Sequence, residues 1–356
     1  MRKSGACVLI FSMLIPFSLE ALSPVVVLGG GAGGTWITTD DETDYVPFYS
    51  ASFTGGYRTA LDGGGFISGS FVSDLRYYRG SVDDLDDRYL LVLDAGAPLG
   101  PNRLKVNAQL DSSIHNFGAG WLIAPSWSAD LYFGDGRRTD PAPLVPSVGY
   151  VGSYRRQDGA RDTRLVQGIR FGVEQDRSLA FGWGLETLGS WEYYPDWDTL
   201  EVTGETADET RRDLRVEAAA TMEGLIGFFH TWDVRLSAGR LFSNANRWIE
   251  DGDLSELEKN SEDRVYAGIN GALELSPHRN IGIELGLGLD HDWYTDREYD
   301  GDRVDRLGMR GSLRLDYTPN GALFFVLDAQ SRWNHSVDPA MDGQYATVTG
   351  SIEYSF

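Results

Sequence analysis

The chain has 356 residues, with 31 lysines and arginines against 53 acids, a formal net charge of −22, five histidines and one cysteine. That balance excludes nucleic acid as a partner. The single cysteine, Cys7, excludes a disulfide framework and a thiolate metal site, and the histidines at 115, 230, 278, 291 and 335 show no paired spacing, so no metal and no cofactor are expected.

In chain order, Arg2 and Lys3 precede an apolar core at 6–19, with Ala21 as a small residue for cleavage. This is the pattern of a secretory signal peptide, giving a leader at 1–21 and one domain at 22–356. Next comes VVVLGGGAGG at 25–34, whose Gly29, Gly31 and Gly34 fit a dinucleotide-binding GxGxxG frame. A helix N-terminus must come next to hold a pyrophosphate. Residues 35–42 are instead TWITTDDE, which favours extended chain, and YSASFTGG at 49–56 lacks the ribose-binding acid. The glycines belong to a first strand, where they permit a bulge or bend.

Beyond the leader the dominant period is two. At 307–317 one face reads Leu, Met, Gly, Leu, Leu, Tyr and the other Gly, Arg, Ser, Arg, Asp. Leu214, Val216, Ala218, Ala220 and Met222 alternate with Arg215, Glu217, Thr221 and Glu223 in the same way. Up to sixteen strands are predicted, at about 25–37, 47–59, 65–78, 89–98, 102–115, 119–133, 146–156, 163–175, 179–193, 212–226, 230–241, 264–275, 280–294, 305–318, 322–334 and 344–356. Fourteen is the alternative, because 134–145 (GDGRRTDPAPLV) would have to form a long turn. Several segments alternate for more than ten residues, a length typical of membrane barrels rather than of globular sheets. Aromatics mark strand ends, as with Phe181, Trp183, Trp191 and Tyr193.

Short turns take turns with acidic windows at 38–44, 82–88, 196–213, 249–264 and 295–306, which hold about half of the 53 acids and read as long outer loops. Within the last window, Asp296, Glu298 and Asp300 are spaced like the first half of a calcium loop. Leu307 stands where its bidentate Glu belongs, so no calcium site is expected.

The final strand ends Ile352-Glu-Tyr354-Ser-Phe356. With a leader, period-two strands and this terminal Phe, the chain resembles bacterial outer-membrane β-barrel proteins of the porin-like class, though no motif fixes a family within it. The resemblance implies an all-β, transmembrane, antiparallel up-and-down barrel in the outer membrane of a Gram-negative-type bacterium. It further implies membrane lipid as a partner, and an assembly machinery that reads Ile352, Tyr354 and Phe356.

Apolar residues then face lipid and their polar alternates line the interior. The pore-lining candidates are Glu217, Glu274, Glu284, Asp290, Arg310, Arg314, Asp316, Asp328 and Arg332, on a face where acids outnumber bases. The function expected is a passive channel for small hydrophilic solutes with weak cation preference, and not an enzyme. The alternatives are a non-conducting structural or adhesive barrel, whose lumen charges pair and plug the interior, and a lipid-acting hydrolase. For the hydrolase, His291 faces lipid with no visible acid to orient it, and Ser113 lies beside His115 without distinguishing context.

Overall fold

A computed structural model describes residues 23–39, 42–61, 64–79, 84–115, 120–134, 143–157, 163–178, 181–200, 206–227, 229–251 and 254–356, so the expected leader lies outside the described residues. Eighteen strands follow one another: β1 (Ser23–Thr39), β2 (Glu42–Leu61), β3 (Gly65–Tyr78), β4 (Asp84–Leu99), β5 (Asn102–His115), β6 (Gly120–Tyr132), β7 (Leu144–Gln157), β8 (Arg164–Ser178), β9 (Phe181–Leu200), β10 (Thr206–Ile226), β11 (His230–Ser243), β12 (Arg247–Asp251), β13 (Leu254–Glu258), β14 (Arg264–His278), β15 (Ile281–Tyr299), β16 (Asp302–Tyr317), β17 (Leu323–Ser336) and β18 (Gly343–Ser355).

Sixteen of these close into one antiparallel up-and-down barrel, β1 pairing with β18, while β12 and β13 form a separate hairpin between β11 and β14. The fourteen-strand alternative is thereby excluded: β6 and β7 are distinct strands, joined through 133–143. Closure satisfies the backbone of every wall strand without leaving an edge, the condition for spanning lipid.

The outward face is apolar and bare of protein partners. Leu185, Leu214, Val216, Ile269 and Leu287 are all exposed, Leu287 at 75%. Aromatics form two outward belts. Near the chain ends lie Phe181, Trp232, Tyr317, Phe325 and Tyr354, and toward the other end lie Trp36, Tyr45, Trp191, Trp293 and Trp333. From Phe181 to Trp191 the strand climbs about 34 Å, or about 25 Å of height at the usual barrel tilt, the thickness of an outer-membrane apolar band.

Three local expectations are corrected. Four of the acidic windows read as long outer loops are mostly strand: β9 and β10, of 20 and 21 residues, run through much of 196–213, and β15 and β16 meet at Asp300-Gly301. Both turn residues have positive φ, 52° and 81°, the two-residue hairpin geometry that an Asp-Gly pair favours, so the calcium-like spacing lies on a hairpin. The fifth window holds the β12–β13 hairpin. Above the membrane a strand has water on both sides and needs no apolar alternation, which is why these extensions read as loop.

Aromatics, by the same correction, mark the membrane edge rather than the strand end, since β9 continues past Trp191 and Tyr193 to Leu200. The glycines of β1 form no bulge either: the register with β2 and β18 runs unbroken through 29–34. They provide clearance, and a Cβ on Gly33 would strike the backbone of β18 and the buried Phe48 ring.

Candidate functional site

Pairing registers fix which residues share the inner face, because directly opposed residues of antiparallel strands point the same way. Glu217, Glu274, Glu284, Asp290, Arg310, Arg314, Asp316, Asp328 and Arg332 all lie on the face turned away from the apolar exterior. Arg310 with Asp290, and Arg314 with Asp316, form ion pairs at 3.2 Å and 3.0 Å. Arg235 bridges Glu186 and Glu217, and Glu217 also accepts the Tyr266 hydroxyl at 2.9 Å. Glu274 accepts from Thr231 at 2.8 Å, and Asp328 from Gln330 at 3.1 Å.

Six further arginines belong to this face. Arg88, Arg103, Arg164, Arg211, Arg264 and Arg306 each pair with an inner acid: Asp111, Glu174, Glu192, Asp213, Asp292, and both Asp290 and Asp292 respectively. Asp213, Glu262 and Asp338 join the acids beside them, so the acidic excess expected of the lumen is reduced but not removed. Arg88 and Arg211 lie just outside the predicted strands and Arg264 and Arg306 at the edge of acidic windows, whereas Arg103 and Arg164 stand in phase with the inner face at the first residues of their strands.

The pairs connect into an alternating chain down the wall. Asp338 meets Arg297 at 2.6 Å, Arg297 meets Glu262 at 3.3 Å, and Glu262 meets Arg264 at 3.5 Å. Arg264 then meets Asp292 at 3.5 Å, Asp292 meets Arg306 at 2.5 Å, and Arg306 meets Asp290 at 3.2 Å. These pairs are partly to fully buried, Arg297 and Asp338 at 8% and 4% exposure, so lost hydration offsets much of their attraction and their net contribution to stability is small. Their geometric effect is larger, because they hold long side chains flat against the wall.

Small residues make that possible. Asp130, Gly149 and Arg170 are in register on three adjacent strands, and the Asp130–Arg170 pair, at 2.5 Å, lies over the glycine, where a Cβ would strike the carboxylate. Replacing Gly149 by valine is expected to break this bridge and to destabilise the barrel by about 1–3 kcal/mol through overpacking. Denaturant unfolding of the refolded chain would measure it, with Gly189→Ala, where a Cβ meets nothing within 4 Å, as the near-neutral control.

At the end away from the chain termini the packing becomes dry. Arg211 lies between the Tyr194 and Trp197 rings, 4.4 and 4.3 Å from their centres, and grips Asp213 through Nε and Nη2 at 3.1 and 2.8 Å. Ser243 adds its hydroxyl to Asp213 at 2.5 Å. In the connection before β14, burial lifts the Asp263 carboxyl above its ordinary range, opposed by the Ser243 backbone N–H that it accepts.

His291 faces outward, as the alternation predicts, but an acid does orient it: its Nε2 lies 3.0 Å from Asp305 Oδ2 and its ring 4.0 Å from that of Trp293. Asp305 stands opposite Trp293 on the neighbouring strand, a cross-strand relation invisible in one strand's sequence. Among the described residues no hydroxyl is hydrogen-bonded to His291. Ser113 is buried on the inner face, and the His115 side chain lies outside the described residues. Among the described residues no cluster of histidine, cysteine and acid side chains could hold a metal.

No family model matches the sequence, and no curated protein matches it. Among solved structures it is similar to CdiB from Acinetobacter baumannii, at 13% identity and TM-score 0.45, covering 96% of this chain and 61% of that one. It is similar to OccAB1 of the same species, at 10% identity and TM-score 0.49, covering 95% and 99%. It is similar also to a loop-deletion mutant of OmpT, an outer membrane protein of Vibrio cholerae, at 12% identity and TM-score 0.42, covering 95% and 100%. The wall itself, closed over sixteen strands, apolar outside between two aromatic belts and charged inside, makes this chain a transmembrane β-barrel of the kind that resides in Gram-negative outer membranes.

Proposed function

We propose that this barrel is a passive channel for small hydrophilic solutes across the outer membrane, rather than an enzyme. One observation carries the reading: the inner-wall ion pairs join strands that are near neighbours around the barrel, so they run along the wall and do not bridge the lumen. The wall is one closed sheet of sixteen strands, and barrels of this strand number leave an aqueous path. The plugged, structural alternative requires charges paired across the lumen.

Selectivity obeys the same chemistry. With most inner-wall acids held in ion pairs, cation preference is weak and derives largely from the acidic strand extensions at the mouth, whose field is screened within about 8 Å at physiological salt. Asp290 accepts from both Arg306 and Arg310, so Asp290→Asn leaves Arg306 held by Asp292 and takes from Arg310 its carboxylate partner, exposing one guanidinium to the water path. The cation-to-anion permeability ratio is expected to fall to unity or below. Glu284, which makes no ion pair among the described residues, should lower it less when changed to Gln. Liposome swelling with neutral sugars of increasing size, together with reversal potentials under a salt gradient, tests both points. Folded barrels that admit no sugar and no ion would overturn the channel reading.

A further inference from the structure

The outer wall carries a second set of cations that the channel does not use. Arg156, Arg212 and Arg240 fall on the lipid-side face, in register with Ile123, Tyr193 and Val216. Charged groups on that face cost about 2–4 kcal/mol at the bilayer midplane and little at the interface, so their height matters. All three lie toward the aromatic belt remote from the chain termini, the outer-leaflet side. None has an ion-pair partner among the described residues, in contrast to the paired arginines inside. Arg240 instead lies 4.5 Å from the Phe242 ring centre, which directs it up its strand to the level of Leu214, with the Asp263 carboxylate within electrostatic reach. Arg212 itself lines a pocket of about 340 Å³ with Leu165, Gln167, Trp191 and Tyr193.

We propose that this pocket receives the phosphorylated headgroup of an outer-leaflet lipid. A guanidinium offers a planar fork that matches phosphate oxygens, and basic pockets on membrane proteins recognise anionic headgroups in this way. Leu165 and Tyr193 flank Arg212 at its own level, and Gln167 and Trp191, one register pair nearer the membrane centre, offer an amide donor and an amphipathic wall to the ester region below the phosphate. Arg240, outside the pocket lining, one strand along and level with Val216, adds a second positive charge on the membrane side of the pocket. A soluble anion would need neither the aromatic walls nor an opening onto the lipid face, so the occupant is a lipid.

The test uses the refolded full chain in detergent, titrated by native mass spectrometry with dioleoyl phosphatidic acid, and with dioleoyl phosphatidylcholine as the zwitterionic comparison. The wild type should retain phosphatidic acid at about tenfold lower concentration than the Arg212→Gln, Arg240→Gln double variant, a factor corresponding to about 1.4 kcal/mol. Phosphatidylcholine retention should be equal in the two proteins. The inner-wall variant Arg310→Gln should bind phosphatidic acid like the wild type, and heat-modifiable gel mobility will establish that each variant is folded. Equal phosphatidic acid binding by folded double variant and wild type, or no preference over phosphatidylcholine, would overturn the proposal. Displacement of the lipid by millimolar inorganic phosphate would make the pocket a free-anion site and overturn the lipid assignment. Conductance is untouched in either case, so these outcomes are separate from the channel reading.

Discussion

Replacing Asp213 by alanine is expected to destabilise the barrel by about 3–5 kcal/mol, the largest single-residue effect the structure implies. The Asp213 side chain has 0% exposure and that of Arg211 6%. Removing the carboxylate leaves a guanidinium held between two aromatic rings without its hydrogen-bonded counter-charge, Glu262 acting only at longer range, and it strands the Ser243 hydroxyl as well. The penalty belongs to the orphaned cation rather than to the pair, because both ions lose hydration on burial. The double variant Arg211→Met, Asp213→Leu should therefore recover most of the loss. Urea unfolding of the refolded chain in lipid vesicles distinguishes the cases. A single variant within about 0.5 kcal/mol of wild type would mean that this end of the barrel is wet.

Much of the wall is legible in the sequence, and for a physical reason: within the bilayer every second residue must be apolar. The strands 65–78 and 102–115 coincide with β3 and β5, and the face assigned to Arg310, Arg314 and Asp316 is set by the alternation of 307–317. Outside the bilayer that constraint lapses. The tall ends of β9, β10, β15 and β16 are rich in acids because water reaches them, and acids are depleted from ordinary strands, so composition argues for loop. The Asp300-Gly301 turn is readable as a hairpin signal but is overshadowed by its carboxylate spacing. Cross-strand partners such as Asp305 for His291, or Arg306 for Asp292, depend on register, which no single strand reveals.

Deleting Phe356 is expected to lower the amount of barrel inserted in the outer membrane severalfold while leaving export to the periplasm intact. Ile352, Tyr354 and Phe356 point outward with exposures of 53, 45 and 73%, and the Tyr354 and Phe356 rings meet edge-on at 4.7 Å. Within the finished barrel Phe356 contributes one backbone hydrogen bond, to Val26 at 2.9 Å, and one ring at the membrane edge. Together these are worth about 2–4 kcal/mol, too little to abolish a closed sixteen-strand wall. The truncated chain should therefore refold in detergent nearly as well as the full one. A defect in cells without one in detergent assigns the residue to recognition by the assembly machinery; unaltered surface levels would remove that role.

An open, water-filled lumen behind wall-bound charges is what every functional expectation here depends on. Planar-bilayer recording of the refolded full chain tests it most directly. The expected result is stepwise, near-ohmic conductance in symmetrical salt, with a reversal potential under a gradient that favours cations slightly. Inserted barrels with native gel mobility that give no steps at any voltage would contradict it.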